Sequence, residues 1–136
     1  MKKAFLLSGT IFGVLAVVLG AFGAHGLENL VDKEAIETWN TGVSYQMYHA
    51  LFLLILGNID LLSDAWKRWI FRCIVTGIVL FSFSIYLLAT NSLTSFDFKL
   101  IALATPLGGF LLITGWVLFG IGIFKGSNKK SSKNTL

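Results

Sequence analysis

Two histidines, His25 and His49, are the side chains of this 136-residue chain best suited to moving a proton or holding a metal near neutral pH. Beside them stand Tyr45, Gln46, Ser84, Tyr86 and Thr105, each set within or at the edge of a run of apolar residues. A polar group in hydrocarbon is costly unless partnered, so such residues mark either a ligand site or an internal hydrogen-bonded cluster. The chemistry open to them is narrow. A catalytic zinc takes three protein ligands, and Glu28 would have to complete a set with the two histidines. A hydrolase would pair Ser84 with His49, yet no acidic residue falls near them to orient the base. The Gly-Gly of Thr105-Pro106-Leu107-Gly108-Gly109 has no lysine after it and is no phosphate loop. The expectation is no enzyme, no metal and no cofactor. In the plainer reading His49 bonds Tyr45 or Thr105, and His25 caps the carbonyls of its own helix or bonds Glu28.

The elements that position these residues follow from composition. The chain is 55 % hydrophobic and only 13 % charged, with a mean hydropathy of +0.77. A soluble domain carries about 25 % charged residues, so lipid is the expected solvent here. The net charge of +4 is placed as topology determinants and lipid-surface contacts rather than as a nucleic-acid site. A single cysteine, Cys73, excludes an intrachain disulfide.

Ala4–Ala24 passes without a charge, and a helix of that length rises about 31 Å, enough to cross a bilayer. Its apolar run is too long for a secretory signal, so it reads as a retained span. Gly9, Gly13, Ala16 and Gly20 repeat at spacings of four, three and four, a smooth face for close helix packing. Gly108 and Gly115, seven apart, lay a second such face. Asp32 is a candidate N-cap. Ile36, Trp39 and Val43 read as the apolar side of an interfacial turn leading into the second span. That span reaches across only if Tyr45, Gln46, Tyr48 and His49 enter the membrane. Pro106 either kinks the fourth span or begins its regular part. The expected fold is an all-α, integral membrane four-helix transmembrane bundle over residues 1–126, with spans near 4–24, 43–62, 70–89 and 103–124. A basic, disordered cytoplasmic tail, 127–136, follows.

Four spans collect nine of the eleven bases on one side: Lys2, Lys3, Lys67, Arg68, Arg72, Lys125, Lys129, Lys130 and Lys133. By the positive-inside rule that side is cytoplasmic, which puts both termini in. In this topology His25, Tyr45, Gln46, His49, Ser84, Tyr86 and Thr105 fall at one depth. The expectation is an outer-leaflet polar pocket around His49, with Gly42, Tyr45, His49 and Phe52 on a stripe facing the bundle interior.

The same residues carry a family resemblance. Gly20-Ala21-Phe22-Gly23-Ala24-His25-Gly26-Leu27, Tyr48-His49-Ala50-Leu51, Phe81-Ser82-Phe83-Ser84-Ile85-Tyr86, and Thr105–Gly109 followed by Gly115-Trp116 resemble the motifs of the DUF423 family. These are small bacterial inner-membrane proteins with eukaryotic transmembrane relatives. The resemblance implies a four-helix membrane protein and supplies no catalytic residues. The family's usual Phe-Ser-Gly-Ser reads Phe-Ser-Phe-Ser here, a larger side chain at Phe83. The expected role is binding of a lipid, a small hydrophobic molecule or a partner helix in a bacterial inner membrane. The alternative is a small-solute channel or transporter built as an oligomer. Expected partners are membrane lipids and either further copies of the chain or another membrane protein, with no nucleic acid.

Overall fold

The computed structural model describes residues 1–131, with side chains for all of these except 99–100 and 126–131. Helix α1, Lys2–Phe22, runs on through one wide π-helical turn, Gly23–Leu27. Helix α2 spans Lys33–Asn58. Helix α3, Asp64–Ile78, passes through a second π turn, Val79–Phe83, into α4, Ser84–Ala89, so these three form one rod. Two short 3-10 turns, Asn91–Leu93 and Phe98–Ile101, lead to α5, Ala104–Ser131. The molecule is an all-α bundle of four helical rods. Three of them, Lys2–Leu27, Asp64–Ala89 and Ala104–Lys125, are long and apolar enough to cross a membrane.

Local chemistry sets the boundaries. Asp32 is extended and its carboxylate accepts from the Ala35 amide at 2.8 Å, which starts α2. Helix α2 therefore begins ten residues before the span expected at 43, and it stops at Asn58 rather than at 62. Ile59 turns extended there, and Ser63 caps α3 through the Trp66 amide. The expected third span at 70–89 gains a turn and a half at its start for the same reason. Pro106 stands in the first turn of α5, where a missing amide costs nothing, so it begins this helix instead of kinking it. The helix continues to Ser131, past the expected stop at 124. The rest of the tail, 132–136, lies outside the described residues.

Small residues set the register. Gly57 faces Phe5, Ala50 faces Gly9 and Gly13, Val43 faces Gly20, and Trp39 faces Gly23, so α1 and α2 are antiparallel along their whole lengths. A Cβ at Gly9 would lie 2.8 Å from Leu54 and 2.9 Å from the Ala50 carbonyl, and Ala16 is buried. Gly13 has no such close neighbour. On the other side Gly108 lies against the backbone of Leu80 and Phe81, Leu112 against Gly77, and Gly115 against Ile74. At Gly108 any side chain would collide with main chain that cannot rotate away. Phe83 leaves this packing undisturbed, because it faces outward and rests edge-on to Tyr86.

Away from the His25 end, the core is apolar: Phe5, Leu53, Leu56, Ile70, Ile74 and Ile78 are fully buried. Toward the His25 end, the interior instead holds Gln46, Ser82, Ser84 and Tyr86.

Candidate functional site

The polar residues of the helices meet as three small clusters, each bonded internally. Gln46 is completely buried and ties three helices together. Its Nε2 donates to the Phe12 carbonyl of α1 at 2.9 Å, and its Oε1 accepts from the Tyr86 hydroxyl of α4 at 2.9 Å. Beside it the Ser82 hydroxyl donates to the Gly42 carbonyl at 2.9 Å. The Trp39 indole N–H donates to the Leu19 carbonyl at 2.9 Å. Trp39 is buried against Gly23, Phe22 and Tyr86.

The second cluster joins α4 to α5. The Ser84 hydroxyl lies 2.7 Å from the Thr105 hydroxyl and donates back to its own helix at Phe81 or Leu80. A groove of about 200 Å³ opens beside this pair, lined by Leu80, Phe83, Ser84, Leu87, Ile101 and Ala104.

His49 forms the third. Its Nδ1 lies 2.7 Å from the Tyr45 carbonyl and its Nε2 lies 3.2 Å from the Trp116 indole nitrogen. A carbonyl only accepts and an indole N–H only donates, so the partners dictate the neutral tautomer with the proton on Nδ1. Both nitrogens are engaged. Trp116 in turn stacks on Phe52, with ring centroids 4.1 Å apart. Among the described residues every buried side-chain nitrogen and oxygen has a partner.

The single pocket expected around His49 is thus divided, and two of its members depart from it. His25 lies two residues beyond Gly23, which packs on Trp39 near the start of α2, because α1 continues helically to Leu27 and the connection to α2 is short. Ten residues of α2 separate Trp39 from His49, about 15 Å at 1.5 Å per residue. The His25 ring is exposed and bonds neither helix carbonyls nor Glu28 among the described residues. Tyr45 departs in part. Its ring is 43 % exposed and lies against His49 and Phe81 at the bundle's surface, while Gln46 takes the inward position on α2. His49 itself precedes Ala50, the neighbour of Gly13, which sets it at the level of the middle of α1 and not toward one end. No three His, Cys, Asp or Glu side chains come together among the described residues.

Four partners were not legible from residue type: the carbonyls of Phe12, Leu19 and Gly42, and Trp116. Backbone acceptors leave no mark on a sequence. Trp116 did leave one, since it follows the packing residue Gly115 and so sits beside the α3 contact.

A family model described as a protein of unknown function, DUF423, matches residues 19–109. A UPF0382 membrane protein of Staphylococcus saprophyticus is 40 % identical over 123 residues, covering 90 % of this chain and 98 % of its own. The UPF0382 membrane protein YwdK of Bacillus subtilis is 38 % identical over 128 residues, again covering 90 % of this chain and 98 % of its own. No solved structure matches.

Proposed function

We propose a function from one premise: the chain belongs to the DUF423 family, and its relatives are named membrane proteins. It is a non-enzymatic, multi-pass protein of a bacterial inner membrane, and it holds a lipid-like molecule in the groove between α4 and α5. In this reading both termini face the cytoplasm, because the bases of the N-terminus, the α2–α3 connection and the tail collect on one side. The groove then opens in the outer leaflet.

The observation that carries the reading is how the polar side chains are used. Gln46, Ser82, Tyr86 and both nitrogens of His49 are committed to bonds within the bundle. His49 could serve as a base only by giving up the Trp116 bond. At this end the bundle offers a visitor an apolar groove with the Ser84–Thr105 hydroxyl pair beside it. An acyl chain fits such a lining, and lone pairs of the hydroxyls can accept from an alcohol O–H at its end.

The test is native mass spectrometry of the protein released gently from membranes. Leu87→Trp, at an exposed groove position, should remove one bound lipid-like molecule from the spectrum, whereas His49→Leu should leave it in place. Retention unaffected by Leu87→Trp would refute the assignment.

A second reading, assembly of copies into a small-solute path, is favoured by Tyr45 and Tyr48. Their rings are 43 % and 59 % exposed near the middle of α2, and neither phenol has a hydrogen-bond partner among the described residues. A hydroxyl facing lipid there gains by meeting a polar group of another chain. Tyr48→Phe would weaken such an assembly, and the same mass spectra report the stoichiometry.

A further inference from the structure

At the end of the bundle opposite His25, a second groove of about 500 Å³ runs between the first turns of α3 and the facing part of α5. Ala65, Trp66, Trp69, Cys73, Thr114 and Leu118 line it. From Trp66 to Cys73 it extends seven residues along α3, about 10 Å toward the bundle's middle. Each of its two tryptophans carries a cation. The Arg72 guanidinium sits 5.5 Å from the centre of the Trp69 ring, and the Lys125 ammonium 5.4 Å from that of Trp66. Arg68 lies one turn before Arg72 on the same helix. Among the described residues no carboxylate comes within 4.0 Å of Arg68, Arg72 or Lys125. Asp60 is held by Lys67 at 3.9 Å, and Asp64 is the remaining acid at this end.

We infer that this groove seats an acyl chain of an anionic phospholipid, with the phosphate at the mouth between Arg72 and Lys125. Tryptophans beside bases are what a polypeptide presents at the headgroup level of an anionic leaflet. A zwitterionic lipid would leave the cations without net countercharge. A second copy docked symmetrically would set Arg72 and Lys125 against their own duplicates, a like-charge contact that disfavours it. The site is separate from the groove beside Ser84, at the other end of the bundle, so either assignment can fail alone.

The full chain in nanodiscs carrying phosphatidylglycerol and phosphatidylcholine of identical acyl composition provides the test, read by native mass spectrometry of the lipids retained on release. Phosphatidylglycerol should be retained in preference. Arg72→Gln with Lys125→Gln, both at exposed positions, should reduce that preference about tenfold or more. Ala65→Trp, which fills the mouth from an exposed position, should expel the bound lipid, while Leu87→Trp leaves the preference unchanged. Equal retention of the two lipids by the unaltered chain would overturn the inference. So would a preference that survives the double substitution, or a dimer that Ala65→Trp dissociates, which would give the groove to a second copy.

Discussion

Gln46 is the residue on which most of the interior depends, because one amide serves both α1 and α4. Gln46→Leu leaves the Tyr86 hydroxyl and the Phe12 carbonyl without their partner and should cost ~1 kcal/mol or somewhat more, a modest figure because hydrogen bonds within membranes measure small. Tyr86→Phe should cost less, about 0.6 kcal/mol. The two changes together should cost less than their sum, since they share one bond. Reversible unfolding in mixed micelles checks all three. His49 makes a contrasting case. His49→Leu removes the acceptor of the Trp116 indole but leaves the Tyr45 carbonyl its helical bond. The expected outcome is a small loss of stability and an altered Trp116 emission spectrum. Residue type alone makes His49 a candidate for proton chemistry. Type does not say whether a ring's two nitrogens are already occupied.

Among the elements, α5 rests on α3 through Gly77 and Gly115 and on the π turn after α3 through Gly108, and these contacts are main chain against side chain or main chain. Gly108→Leu should therefore separate the two rods and lower the fraction of protein that stays monodisperse in mild detergent, whereas Gly120→Leu, where nothing lies within 4 Å, should not. Gel filtration distinguishes them. The spacing of Gly9, Ala16, Gly20, Gly108 and Gly115 made much of this packing legible, because small residues at helical intervals have one main use in lipid. Helix α2 was harder to read. Its polar first third resembles an extramembrane turn, yet it pairs with α1 from Trp39 onward. The depth of every residue on it shifts accordingly, which is why His25 and His49 are at different levels. A hairpin's register depends on how far the first helix continues beyond its apolar run. Composition does not record the π turn that carries it to Leu27.

For the whole molecule, the division is between an apolar half and a half knit by hydrogen bonds, with the cationic groove at the former and the Ser84 groove at the latter. The proposed orientation predicts that cysteines introduced at Ser63 and Ser95, in a Cys73→Ala background, react from opposite sides of sealed vesicles, Ser95 from outside. Reaction of both from one side would refute four crossings. The most direct measurement of the central claim, that the bundle receives a lipid chain in defined grooves, is photocrosslinking with a diazirine-bearing acyl chain, mapped by peptide mass spectrometry. The exposed face of α1, with Leu7, Ile11, Val14 and Val18, supplies the background set by bulk lipid. Crosslinks concentrated severalfold above it at Phe83, Leu87 and Ile101 are the predicted result. Labelling of those residues at the same level as α1 would contradict it.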